Sequence, residues 1–236
     1  MTTVPTAATP AQLLARLRTT LPKALPTTLT TTGPHPTAPD DLYEAYIFAL
    51  VIDAARSVGY SVQFVNGDGT TATVLHLRRS PGRIASSGRP GGPPFTHAVL
   101  SSANRPDLEV HTGILVVGKS KVAHEADLLI LPREQADRCR RFDVDPPSSS
   151  AILSLEAKYY TIPVALSTAR EFLGLSKDLS PKQIVFACTI ASASAMALLA
   201  GTSSVEYDDG VLPRRNGEVS LREYVRRLLR NYKTRR

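Results

Sequence analysis

The stretch Gly113-Ile114-Leu115-Val116-Val117-Gly118-Lys119-Ser120-Lys121 constrains the fold more than any other part of the chain. Four consecutive aliphatic residues, Ile114 to Val117, read as a buried strand, and a second continuous apolar run comes at Leu128–Leu131. Gly118 to Lys121 between them is then a hairpin turn. The same residues satisfy the pattern GxxxxGK[ST], which in phosphate-binding loops needs a glycine-rich loop opening onto a helix. Here the middle of the pattern is aliphatic, and the residues after Ser120 read as strand. A P-loop nucleotide-binding protein would instead need a helix starting near Ser120.

The rest of the chain sets this hairpin in an α/β pattern. Asp40 and Asp41 begin a strong helix, Leu42 to Val58, apolar at Tyr43, Tyr46, Ile47, Leu50, Val51 and Ala54 and ended by Gly59. Short β-type runs come next at 60–65 and 71–77, with Asn66-Gly67-Asp68-Gly69 as turn chemistry between them. Further strands are expected at 96–101, 108–117, 126–131, 151–157 and 184–189. Residues 132–150 read as a polar insertion. Helices are expected near 164–175, at 192–199 and at 221–232, the last with a face of Arg222, Arg226, Arg227 and Arg230. The uncharged stretch between Lys182 and Glu206 is long enough to raise a membrane span, but Ala, Ser and Thr dominate it. A buried strand and then a small-residue helix explain it better, so no membrane partner is expected.

Length and composition bound the domain organisation. The 236 residues suit one domain with tails, and two cysteines, Cys139 and Cys188, exclude a disulfide scaffold or a CxxC zinc site. A reducing, cytoplasmic setting is the expectation. Residues 1–39 hold twelve Thr, seven Pro and no acid, and are expected to be a disordered arm ahead of a domain at 40–236. The net charge of +7 is matched by residues 211–236 alone, with nine Lys/Arg against two Asp/Glu. Such a basic end suits a polyanionic partner.

Two apolar runs carry acids of a particular kind. His124-Glu125-Ala126-Asp127 leads into Leu128–Leu131, and Ser154-Leu155-Glu156-Ala157-Lys158 closes another. Alternate strand residues share a face, so Glu156 and Lys158 point the same way while Ala157 points into the core. If the two strands are neighbours, Asp127 lies beside Glu156. Two carboxylates then offer oxygen ligands to Mg²⁺, with an ammonium group alongside to orient water and balance charge at a phosphoryl centre.

Asp127 and then Glu156-x-Lys158, with an acid on a preceding helix, resembles the pattern of the PD-(D/E)xK nucleases. Residues 109–131, with a His-Glu-x-Asp strand after a Gly-x-Ser turn, are similar to an uncharacterised restriction-endonuclease-like branch, as are Lys158-Tyr159-Tyr160 and Ala169–Leu175. The resemblance spans roughly 40–190 and implies a restriction-endonuclease-like αβββαβ core, a mixed central sheet flanked by helices. It also implies metal-dependent phosphodiester cleavage with Mg²⁺ (Mn²⁺ substituting), on DNA rather than RNA. Asp127 and Glu156 would bind the metal, Glu44 would complete the site, and Lys158 would position the attacking water. Ala126 stands where the proline that names the motif is expected, and residues 132–150 are a long insertion.

Blander roles compete at several of these positions. Asp41-Leu42-Tyr43-Glu44 fits a capping box. His124, an odd number of residues from Asp127, reads as a packed or edge histidine, Glu125 as a spare ligand, and His111 has no assigned role. Candidate phosphate contacts are Arg79, Arg83 and Arg89 in the acid-free loop 78–94, Arg170, and Arg226 and Arg230 at the C-terminal end. The expected partner is duplex DNA. A homodimer stays open, since enzymes that cut both strands often pair, and the apolar face of the last helix could dock a second copy. The rival reading is a catalytically silent nucleic-acid-binding protein on the same fold.

Overall fold

Strand pairing in the computed structural model keeps to chain order. It describes Ala11, Gln12, Ala15 and residues 38–88, 90–103 and 105–234. Most of the Thr/Pro-rich arm expected at 1–39 lies outside the described residues. Seven strands form one sheet: β1 (Ser61–Asn66), β2 (Thr96–Ser102), β3 (Arg105–Val117), β4 (Ala123–Pro132), β5 (Leu153–Lys158), β6 (Ile184–Cys188) and β7 (Glu206–Asp208). The pairs from β1 to β5 are antiparallel, and β5–β6 and β6–β7 are parallel. The result is the expected α/β architecture, a mixed sheet flanked by helices.

Helix α1 (Pro39–Ser57) begins earlier than Asp41 because Pro39 has its φ pre-set for a first helical turn and needs no amide partner there. Ala38 is the N-cap and no side chain caps the helix, so the Asp41–Glu44 capping box is not formed. The helix is buried nearly all round from Leu42 to Ala55, as a helix in the centre of a core must be. It ends where Gly59 takes φ +81°. One core joins α1 and α5 (Asn216–Thr234) to the sheet face carrying Leu100, Val110, Leu128, Ile130 and Leu155. The other lies beneath α2 (Arg133–Phe142), α3 (Leu166–Asp178) and α4 (Ala193–Ala200) and includes Leu129, Leu131, Phe172 and Phe186.

Two expectations are corrected, and one strand was not expected. Residues 71–77 are not a strand. A single bridge, Val65 to Thr71, is made, because β1 pairs along its length with the distant β2 and the Thr96 hydroxyl takes the His76 amide at 3.0 Å. Residues 132–150 contain α2 and a 3₁₀ turn at Ser148–Ser150. With only Ala136 and Cys139 buried, α2's apolar face is too narrow for its period to show in the sequence. Strand β7, Glu-Tyr-Asp, has no apolar run to announce it.

The β3–β4 hairpin forms as read. Lys121 at φ +70° closes its turn, and Ala123 opens β4 with no helix after Ser120, so the geometry a P-loop requires is not formed. Gly113 sits inside β3 at φ +59°, and a Cβ there would lie 3.2 Å from Arg78 Cγ. Gly113→Ala is therefore expected to cost about 1–2 kcal/mol from the left-handed backbone alone. Urea unfolding measures this, and no loss of stability would contradict the assignment. Among the described residues no helix is long and apolar enough to cross a membrane.

Candidate active site

Strand alternation breaks at Asp127. Leu128 and Ile130 belong to the core around α1, whereas Ala126 belongs to the opposite one. The break faces Gly113 across the hairpin, between the pairs Thr112–Leu128 and Ile114–Ala126. On the other side, β4 and β5 pair regularly through Ile130–Leu153, Leu129–Ser154 and Leu128–Leu155, and the ladder ends there. Where the next rung would fall, the Asp127 side chain takes over: its Oδ2 accepts the Ala157 amide at 2.7 Å. A buried amide freed by diverging strands needs such an acceptor.

The expected triad converges at this opening. Lys158 Nζ lies 3.3 Å from Asp127 Oδ2 and 2.5 Å from Glu156 Oε1. Asp127 is 6% exposed, while Glu156 and Lys158 are half-buried. Burial works against the Lys158 charge, but Asp127 and Glu156 outweigh it and hold its pKa above the ordinary range. Burial and the Asp127 charge push Glu156 up to about 7. Glu44, in the second turn of α1, is pushed up to about 9 by burial and by Asp127, Glu125 and Asp41. Burial and Asp127 also raise Glu125, and burial and Asp41 raise Asp40. Six carboxyl groups, Asp41 among them, thus share one field with the Lys158 ammonium.

All these groups are hard oxygen donors with an excess of negative charge, which is what a divalent cation neutralises. Glu44, Asp127 and Glu156 nonetheless do not draw together as a closed ligand shell. Among the described residues, the set of three ligand groups whose donor atoms all lie within 4.8 Å is His97, Glu109 and His111. Mg²⁺ keeps several waters and needs only one or two carboxylates, so the wider spacing suits it.

The raised acids have a consequence for stability. Free glutamate titrates near 4.5, and both Glu156 and Glu44 hold their protons to higher pH in the fold. The folded chain therefore binds more protons than the unfolded one across that interval, and stability falls as pH rises through it. The melting temperature of metal-free protein is expected to drop from about pH 5 to about pH 9, with Glu44→Gln flattening the upper part of the slope. A flat wild-type profile would contradict the buried acid cluster.

The arginines divide. Arg79 pairs with Asp41 at the start of α1, close to the acids. Arg83 reaches Asp143 at 3.3 Å and Asp145 at 3.7 Å, tying its loop to the turn after α2. Arg89 lies outside the described residues. Arg170 on α3 and Arg230 on α5 are exposed, whereas Arg226 pairs with Glu223 on its own helix at 2.5 Å. The apolar face of α5, Leu221, Val225 and Leu229, is buried against the rest of the core and is not free to dock a second copy.

His124 is a structural partner, as its parity suggested: its Nε2 lies 2.6 Å from Asp178 Oδ2 at the end of α3. A cluster to which the sequence assigned no role lies on β2 and β3. Glu109, 1% exposed, accepts Arg140 Nη1 at 3.0 Å, Arg140 Nη2 at 2.5 Å and His111 Nε2 at 2.7 Å. The His97 and His111 rings stack at 4.6 Å. Glu109-x-His111 on one strand face was legible as a pair; His97 and Arg140 were not, since strand pairing and α2 bring them in.

No family model and no curated protein matches the chain. A solved structure of a protein of unknown function, AF1548, is similar over 50% of this chain, at 20% identity and a TM-score of 0.33. The chain spans 57% of the length of that neighbour, and a likeness this weak carries no argument about function.

Proposed function

We infer that the chain is a metal-dependent nuclease, acting on DNA in preference to RNA. The observation that carries this reading is the placement of the Asp127 carboxylate at the end of the β4–β5 ladder, within 3.3 Å of the Lys158 ammonium, which itself contacts Glu156. Asp127 and Glu156 would hold Mg²⁺ (or Mn²⁺), with Glu44 completing the site. When bound, the cation supplies charge stabilisation at the phosphoryl group. The chain's own groups do the remaining work. Lys158, kept protonated by two carboxylates, orients the attacking water and offsets charge developing on the phosphate. The Ala157 amide, donating to Asp127 Oδ2, anchors that side chain. Arg79, and Arg170 and Arg230 on the exposed helix faces, supply phosphate contacts without reading sequence.

The test is incubation of the full chain with supercoiled plasmid, linear duplex, single strands and RNA, each with Mg²⁺, Mn²⁺ or EDTA. Cleavage of DNA that requires the divalent cation is expected. Cleavage that survives EDTA would overturn the reading. So would failure to cut any substrate when added Mg²⁺ also fails to raise the melting temperature; the protein would then be a silent nucleic-acid binder on this fold.

A further inference from the structure

A groove of about 370 Å³, open to solvent, lies between α5 and the leading ends of β5, β6 and β7. That volume falls within the range of small-ligand sites, about 300–1,000 Å³. Ile152, on its wall, precedes Lys158 by six residues, about 20 Å of strand. The groove is therefore separate from the candidate active site. Its lining is of three kinds. Leu228 and Tyr232, both half-buried, give it an apolar side. Polar groups come from Gln183, Tyr224 and Glu206. The Tyr224 hydroxyl donates to Gln183 Oε1 at 2.6 Å, which leaves the Gln183 amide nitrogen as an oriented donor, while the exposed Glu206 adds an acceptor. Charge comes from Lys182 and Arg227, both exposed, with Arg227 5.4 Å over the Tyr224 ring. Among the described residues neither cation forms an ion pair with a carboxylate. Asp208 also acts on Tyr224 but is 9% exposed and does not line the groove. Two positive charges thus meet one negative charge there.

A ligand that satisfies all three kinds has a flat apolar body, an edge that both accepts and donates, and a negative charge. A nucleobase carries acceptors and donors around one flat ring, and the phosphate joined to it supplies the charge that Arg and Lys recognise. We propose that this groove binds one nucleotide. Its base lies against Leu228 and Tyr232 with the polar edge toward Gln183 and Glu206, and its phosphate meets Lys182 and Arg227. A free mononucleotide and a nucleotide within a single strand share this chemistry. The proposal stands without the nuclease reading. Under that reading, a strand held here has a second grip on the protein at the far end of β5 from Lys158.

The experiment titrates AMP, GMP, CMP and UMP into the full chain in EDTA at constant ionic strength, read by calorimetry. Saturable one-site binding of at least one is expected, with its nucleoside and inorganic phosphate each at least about tenfold weaker, since each lacks one half of the contacts. Arg227→Glu, an exposed substitution that the fold tolerates, is expected to weaken binding at least about tenfold through like-charge repulsion. Arg230→Glu makes the same charge change on the same helix outside the groove lining and should leave affinity within about twofold. A single-stranded oligonucleotide that binds more tightly than the mononucleotide and displaces it identifies a strand as the source; a mononucleotide that it does not displace identifies the free form. Absence of saturable binding for all four, wild-type affinity in Arg227→Glu, or equal weakening by Arg230→Glu would overturn the proposal. So would loss of binding in Asp127→Asn, which would place the nucleotide at the candidate active site instead.

Discussion

Lys158→Ala is expected to lower the single-turnover cleavage rate by about 10²–10³-fold, the usual cost of losing one preorganised charge at a reacting centre. The ammonium has two jobs that no neighbour can assume. It lies 3.3 Å from Asp127 and 2.5 Å from Glu156, and its charge also acts on Glu44, Glu125 and Asp40. Without it, Asp127 and Glu156 repel each other undiminished, and Glu156, already raised to about 7, rises further. The activity profile of the variant should therefore shift toward higher pH as well as fall. Asp127→Asn is expected to reduce cleavage to background, since it removes one of the charges proposed to hold the metal. Asparagine also keeps an oxygen for the Ala157 amide. Alanine would leave that buried amide without an acceptor, at about 1–3 kcal/mol, and confuse lost folding with lost chemistry. Circular dichroism separates the two. Wild-type rates in both variants would place the chemistry elsewhere.

Arg140→Ala is expected to destabilise the fold by about 3–5 kcal/mol. Glu109 is 1% exposed; Arg140 lies 3.0 Å and 2.5 Å from its two oxygens, and Arg133 Nε stands farther off at 4.0 Å. Removing the partner leaves a buried carboxylate between β3 and α2, faced by His111 and, at 4.0 Å, by Arg133. The loss is a large share of a typical domain stability of about 5–15 kcal/mol. The double variant Glu109→Gln with Arg140→Met should recover most of it, because no unpaired charge remains. Urea unfolding of the two variants checks this. A single-variant loss below about 1 kcal/mol would mean that the pair is solvated, as surface pairs are.

The candidate triad was legible because strand chemistry is local. Glu156 and Lys158 share a face by alternation alone, and the apolar runs beside Asp127 and Glu156 marked both as strands. That the two strands are neighbours was a condition of the triad, and the β4–β5 pairing meets it. The break of alternation at Asp127 was not legible, because it depends on Gly113 adopting φ +59° on a different strand. Glu44 was named as the helix acid. Its capping role failed because Pro39, not Asp41, starts the helix. Arg83 and Arg226, expected phosphate contacts, pair with Asp143 and Glu223, partners that loop packing and helix register select.

What the sequence determined by itself was the kind of element at each place: apolar period and turn chemistry specify α1, the β3–β4 hairpin, β5, β6 and α5 without reference to the rest of the chain. Tertiary structure alone decided which polar groups meet. Strand order brings Asp127 to Lys158, and α2 brings Arg140 to Glu109. The loop after β1 carries Arg78 to the opposite face of the sheet. The physical reason is range. Backbone preference and hydrophobic period act over a few residues, whereas burial and Coulomb energy act between groups that only folding makes neighbours.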